Sequence, residues 1–223
     1  MNVGILLFEQ WHCRKHVGGS RLRGHFLFPY WKEAEPFVQG KKYDVVIFQK
    51  TYFPEYIKAF DGIKILDLCD PDWLDTVPIK EVIDNVDAIT VSSEGLKDAV
   101  SQFTDKPVVF IPDRQDLNFH NIQKKHNGDA KMAVYYGYSH NTKVLDKTLL
   151  TLKRYGLKLK VISDCRPPYT KASKNIKYDW DNPNWNFNEE VLEADFCLLP
   201  EDDRPRGKFK SLNKVYTAWA LGM

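Results

Sequence analysis

The sequence predicts an α/β protein built on parallel sheets and arranged as two successive units. Three observations carry that expectation. Continuous apolar runs of strand length alternate with helical stretches that carry apolar residues on one face. The alternation breaks off in a charged, amide-rich stretch at 113–130 and then restarts. The length, 223 residues, is enough for one large or two small domains. The expected organisation is a first domain over 1–112, an interdomain segment over 113–130, and a second domain over 131–223, with a cleft between the two.

In the first domain, Asn2 to Phe8 reads as a short buried strand. A polar stretch follows, with Trp11, His12, Cys13, Arg14, Lys15 and His16, then Gly18-Gly19-Ser20-Arg21-Leu22-Arg23-Gly24. Glycines ahead of a helix that starts at Ser20 allow backbone to approach an anion. This is not the Gly-x-Gly-x-x-Gly fingerprint, and a plain turn with exposed arginines reads equally well. Asp44–Gln49, Ile63–Cys69, Asp87–Ser92 and Pro107–Ile111 are further strands, and Pro54 to Phe60 is a short helix. Ser93 is expected to cap a helix that turns Leu96, Ala99, Val100 and Phe103 to one side.

In the second domain, Lys131–Gly137 is a strand ending in glycine, followed by the loop Tyr138–Asn141 and a helix to about Tyr155 that aligns Leu145, Leu149 and Leu152. Leu157–Ser163 and Ile176–Tyr178 are strands, Phe187–Ala194 a short helix, and Asp195–Pro200 another strand. The Trp- and Asn-rich stretch from Asp179 to Asn188 is either a surface loop, an acceptor platform or packed aromatic rings. The last helix puts Leu212, Val215, Tyr216, Trp219 and Ala220 at helical spacing, with Ser211 as its cap and Gly222 at its end.

That last helix is oddly charged. Lys208, Lys210 and Lys214 crowd its start, where the macrodipole already favours anions, and each misplaced cation costs roughly 0.3–1 kcal/mol. A bound phosphate reverses the sign. The alternative is a solvated basic turn tempered by Glu201, Asp202 and Asp203.

Composition narrows the rest. The net charge is +2, so nothing in bulk favours nucleic acid, and an anion site has to be local. Cys13, Cys69, Cys165 and Cys197 lie far apart with no Cys-x-x-Cys, which argues against zinc and against a disulfide framework. There is no signal-peptide pattern and no apolar run of membrane-span length. The expectation is a cytoplasmic protein with reduced thiols. Ligands of parallel sheets sit beyond the strands' carboxyl ends, which here offer Glu9–Ser20, Gln49-Lys50, Asp70-Pro71-Asp72-Trp73 and Ser92-Ser93-Glu94. Asp70 and Asp72 could chelate a hard cation or form an ordinary turn, and Asp70 is a candidate base. His12 and His16 are weaker candidates for that role.

The order of elements, with Gly137 closing a strand, Ala194-Asp195-Phe196-Cys197-Leu198-Leu199-Pro200, a basic loop and then Asn213 to Met223, resembles the donor-binding domain of the GT-B glycosyltransferases. Gly18-Gly19-Ser20-Arg21 and Val86–Glu94 are similar to their N-terminal half. The resemblance implies two Rossmann-like domains with parallel sheets facing a cleft, the first on the acceptor side. It implies a metal-independent, hexosyltransferase-like enzyme that moves sugar from a nucleotide-diphosphate sugar to an acceptor hydroxyl, on a saccharide or another molecule. Nucleic acid is a disfavoured acceptor, and no cofactor beyond the donor substrate is implied. Lys208, Lys210, Ser211, Asn213 and Lys214 would hold the diphosphate, with Gly137 on the same side and Gly18, Gly19 and Arg21 approaching from the other domain. Asp70 is the candidate catalytic residue. The sequence departs from the pattern in two ways. Phe209 and Thr217 stand where many retaining members carry glutamates, and the chain looks C-terminally short, with an incomplete second domain. These departures favour the alternative of a non-catalytic two-lobed nucleotide- or sugar-binding or interaction module; a sugar-nucleotide epimerase of the same architecture is a further alternative.

Overall fold

The computed structural model describes residues 1–12, 15–75, 77–164 and 169–223. Cys13, Arg14 and Cys165, which figured above, lie outside them. The chain forms two compact units, Met1–Arg114 with Asp203–Leu212, and Gln115–Asp202 with Asn213–Met223. The stretch expected to link two domains is therefore shared out between them, and 203–212, expected in the second domain, belongs with the first. The cause is local: Phe209 is buried in the first unit's core, and Ser211 hydrogen-bonds Asp113.

The first unit is a six-stranded parallel sheet of β1 (Val3–Leu6), β2 (Ala34–Pro36), β3 (Val45–Gln49), β4 (Ile63–Leu68), β5 (Ala88–Val91) and β6 (Val108–Phe110), in the order β2-β1-β3-β4-β5-β6. Val3 pairs with Ala34 on one side and Val45 on the other. β3 reads as a continuous apolar run because helices and loops cover both faces of a parallel sheet. β2 was not expected. It is three residues long and holds Pro36, which an edge strand tolerates because a lost N–H donor faces no partner there. The helices are α1 (Phe8–Trp11), α2 (Gly18–Ser20), α3 (Pro54–Lys58), α4 (Ile79–Asp84) and α5 (Glu94–Val100). Ser93 caps α5 by accepting from the Leu96 N–H at 3.1 Å. α4 buries Ile79, Val82 and Ile83 at i, i+3, i+4, a pattern too short to stand out in the sequence. The core gathers Val46, Phe48, Leu66, Ile89 and Leu96 with Phe209.

The second unit is a four-stranded parallel sheet of β7 (Met132–Tyr136), β8 (Lys158–Ser163), β9 (Lys174–Lys177) and β10 (Phe196–Cys197), ordered β10-β7-β8-β9. Its helices are α6 (Leu149–Arg154), α7 (Phe187–Leu192) and α8 (Asn213–Ala220). Residues 139–148, of which 139–141 were expected as loop and 142–148 as helix, wind as tighter turns before α6 begins. Asn186 caps α7 through its side-chain oxygen. Lys160 is wholly buried, and its ammonium meets Glu190 at 2.6 Å and Glu193 at 2.7 Å. Trp180 and Trp185 meet edge to face at 4.8 Å and pack with Tyr178 and Phe187. The aromatic stretch thus takes the packing alternative.

The expected face of α8 is corrected. Thr217, Ala218 and Leu221 are buried, whereas Leu212 and Trp219 are 55% and 65% exposed. Leu221 joins the core of β7, β8 and α7, and Tyr136 Oη donates to the Lys214 carbonyl at 2.6 Å, which fixes the helix's rotation. No helix among the described residues is long and apolar enough to cross a membrane.

Candidate functional site

An open parallel sheet binds ligands where its strand order reverses, beyond the strands' carboxyl ends. In the first unit that point lies between β1 and β3. Buried Gln49, at the end of β3, organises it. Its Oε1 accepts from the Phe8 N–H at 2.9 Å and the Ser20 hydroxyl at 2.8 Å, and its Nε2 donates to the Gly19 carbonyl at 3.2 Å. This explains why the glycine turn sits against the sheet. A Cβ on Gly19 would make an ordinary contact with Cys69 Sγ at 3.4 Å, and one on Gly18 would meet nothing. Neither residue has positive φ. Packing and backbone geometry therefore do not require glycine at either place. Arg21 opens the wide turn Arg21–His25 that follows.

The next residue, Lys50, holds a left-handed backbone, φ 48°, which is uncommon for a residue with a Cβ and concentrates at functional sites. Its ammonium lies 2.8 Å from Asp70, 3.0 Å from Asp72 and 5.2 Å from the Phe8 ring centre. Tyr52 donates to Asp72, and Arg206 pairs with Asp72 at 3.3 Å and with Asp75. Lys210 reaches Asp70 at 3.5 Å. Burial opposes the Lys50 charge, but the acidic groups around it more than reverse this and raise its pKa. Burial likewise pushes Asp70 up, and Lys50 and Lys210 outweigh it, so the carboxyl titrates below its ordinary range. Burial pushes the Cys69 thiol well up, which keeps it protonated and unreactive.

Two readings of this region change as a result. Asp70 and Asp72 both turn toward the Lys50 ammonium, and no group of three or more potential metal ligands occurs among the described residues. Lys210 is not surplus charge, because a carboxylate already faces it.

Behind this cluster stands a buried brace. Arg23, which the plain-turn alternative left exposed, is 8% exposed. It forks onto Asp67 through Nε at 2.9 Å and Nη2 at 2.6 Å, and Nη1 reaches the Ile111 carbonyl at 2.8 Å and Asp113 at 3.1 Å. Thr90 donates to Asp67 at 2.6 Å, and Ser211 to Asp113 at 2.6 Å. Burial disfavours the Arg23 charge, and Asp67 and Asp113 overcome that penalty and raise its pKa. The brace ties together the ends of β4, β5 and β6. It also spends the Ser211 hydroxyl on Asp113, so Ser211 does not cap α8, which begins at Asn213. Lys208 is exposed, with its ammonium 4.8 Å from the Phe209 ring centre.

In the second unit the strand order reverses between β7 and β10. Here two expected site residues, far apart in sequence, meet. A Cβ on Gly137 would lie 2.6 Å from Lys214 Nζ. That ammonium also sits 3.1 Å from Tyr135 Oη and 4.4 Å from its ring centre. The following loop is held by the Ser139 N–H donating to Asp164 at 2.7 Å. Asn213 starts α8, and its carbonyl accepts from Thr217 at 2.9 Å and Gln115 Nε2 at 3.3 Å. Gln115 also meets buried His120 at 3.0 Å, and His120 meets Asn188 at 2.8 Å.

The expected site residues thus fall into two groups. Asp70, Gly18, Gly19, Arg21, Lys208, Lys210 and Ser211 lie in the first unit, and Gly137, Asn213 and Lys214 in the second. Lys50, Tyr52 and Arg206 were not singled out as site residues. Only the position of Lys50, just past an apolar run at a strand's carboxyl end, could have flagged one of them.

No family model matches the sequence. No curated protein matches it either. Among solved structures, a match is found to the Glycosylation Associate Protein (Gap123) complex from Streptococcus agalactiae, at 17% identity and a TM-score of 0.35. It covers 55% of this chain and 26% of that one, so this chain spans about a quarter of that protein's length. A likeness that low carries no inference about function.

Proposed function

We propose that the protein is a metal-independent glycosyltransferase of GT-B type, taking a sugar from a nucleotide-diphosphate donor to an acceptor hydroxyl. The observation that carries this reading is the meeting of Gly137 and Lys214 at the carboxyl end of β7. The glycine, whose own N–H is spent on the Ile162 carbonyl at 3.1 Å, leaves room there for a lysine ammonium, and the eight-residue helix that carries this lysine begins beside it. Together these offer N–H groups, a cation and a favourable dipole to a phosphate. A departing nucleotide diphosphate gains negative charge, and fixed donors of this kind stabilise it. In this reading Lys214 is the main diphosphate contact, and Lys208 and Lys210, which belong to the other unit, have no part in it; Lys210 already faces Asp70. Asp70 orients Lys50 and Lys210. With its pKa lowered it is a weak proton acceptor at neutral pH.

A non-catalytic nucleotide- or sugar-binding module is the second reading, and one observation favours it. Phe209 and Thr217, at the positions of the glutamates in retaining members, are 6% and 8% exposed and occupied in packing and hydrogen bonding. Thermal unfolding with UDP or GDP tests the shared part of both readings. A ligand at 100 times its Kd adds about 2.7 kcal/mol, and Lys214→Ala should remove most of that gain. If neither nucleotide shifts the unfolding of the unaltered protein, the transferase reading and the nucleotide-binding form of the second reading fall. Sugar transfer from UDP- or GDP-sugars to added glycosides separates them.

A further inference from the structure

We propose that a groove in the first unit, at the carboxyl ends of β1 and β3, binds the ring of a neutral saccharide. The groove encloses about 310 Å³, at the lower end of the range for small-ligand sites. It opens at the reversal of strand order, where open α/β sheets take their ligands.

The lining sets the ligand's chemistry. Trp11, Phe37, Phe53 and Tyr56 supply aromatic surface, Gln10 and Gln39 amides, and among the described residues no charged side chain contributes. An anion or cation finds no counter-charge in such a wall. Gln10 is already spent on the Leu7 N–H and the Phe37 carbonyl, but a wholly apolar ligand would bury the Gln39 amide N–H groups, at a cost of about 1–3 kcal/mol for each one left unsatisfied. A pyranose ring fits both demands, because its C–H face lies against aromatic rings and its hydroxyl edge meets amides and phenols. Tyr56 Oη donates to Gln39 Oε1 at 3.0 Å, which leaves the phenol lone pairs and the Gln39 amide N–H groups for ligand hydroxyls.

The aromatic wall is set before any ligand arrives. Trp11 Nε1 donates to the Gln49 carbonyl at 3.3 Å, and its ring meets Phe8 at 4.9 Å and Phe53 at 5.2 Å, both edge to face. Phe53 immediately precedes α3, with Pro54 opening the helix. Phe53 and Tyr56 stay 52% and 39% exposed, so neither is held in place by burial in the core. The choice of a saccharide among neutral amphipathic rings rests on the glycosyltransferase reading, for which the groove would hold the acceptor.

Saturation-transfer NMR on the full chain, with a panel of neutral methyl glycosides and with UDP and GDP measured in parallel, tests this. At least one glycoside should receive saturation, strongest at its ring C–H protons. Phe53→Ala and Tyr56→Ala should each weaken that signal several-fold, with the circular dichroism spectrum and nucleotide binding unchanged. If no glycoside receives saturation while a nucleotide binds, the groove proposal is overturned and the transferase reading survives. If a glycoside binds but the signal is unchanged in both variants, the groove proposal is also overturned. Glycoside binding that both variants lose, in a protein that binds no nucleotide, supports the groove and removes the transferase reading.

Discussion

Asp70 and Lys50 hold each other in opposite directions on the pH scale, and this has a consequence that can be measured. A carboxyl whose folded pKa is depressed adds stability that is fully present above its unfolded value, about 3.9, and is lost as pH falls through the folded value. The stability difference between the protein and Asp70→Asn should therefore be constant above about pH 5 and shrink below about pH 4, as read from urea unfolding at each pH. A difference that grows on acidification would contradict the pairing. Arg23 sits deeper. Removing one partner from a buried ion pair leaves charge unanswered and costs about 3–5 kcal/mol. Arg23→Ala should lose about that much stability, with Asp67 and Asp113 left facing each other without their cation. At Gly137, substitution by Ala puts a methyl group where the Lys214 ammonium lies, and that flexible chain end has to move. Gly137 also holds φ 158°, a backbone that residues with a side chain rarely adopt, so weaker UDP or GDP binding together with a loss of stability is the expected result.

Among the elements, the legible ones are those whose residues report their own surroundings. β3 and β7 are nearly continuous apolar runs, and β4 and β8 keep apolar residues around Lys64 and Asp67 and around Lys158 and Lys160, as a sheet covered on both faces demands. β2 carries no such signal, because three edge residues with Glu35 and Pro36 look like a loop. α8 misleads for a different reason. Its bulky residues, Tyr216 and Trp219, suggest a core-facing side, but Thr217 and Ala218 are what fits closely against β7 and the 115–120 segment. Small residues pack as well as large ones, and a hydrophobicity pattern undervalues them. The same limit hid Lys50. A lysine in a turn reads as solvated, and its partners lie 20 or more positions away in sequence. Lys214 was legible as a site candidate because a basic first turn conflicts with local preference, and Gly137 only through the family resemblance. At the level of elements, Gly95 offers a test. A Cβ there would lie 2.5 Å from the Lys208 carbonyl oxygen, a backbone atom that cannot swing aside. Gly95→Ala should displace residues 203–212 from α5 and speed amide exchange there. Unchanged exchange would mean the segment is not seated as described.

Taken whole, the molecule gives each sheet its own buried clusters, with Phe48, Leu66 and Leu96 and also Ile5 and Val45 in the first unit, and Val134, Ile162 and Val191 and also Tyr135 and Val161 in the second. Separate cores permit separate melting, and a chain of two units is not obliged to unfold in one step. Calorimetry should resolve more than one transition. Arg23→Ala should lower one, and Lys160→Ala, which strips the partner from Glu190 and Glu193, should lower another. The chain also enters the first unit twice. After β10 it returns to seat Phe209 against Trp73, with ring centres 5.7 Å apart, before going back to complete the second unit. Neither half can consequently be cut free with a single break. A fragment stopped at Arg114 would expose the vacated ring seat to solvent and leave Asp113 without Ser211, so it should be prone to aggregate. Rejoining 203–212 to it through a flexible tether should restore solubility.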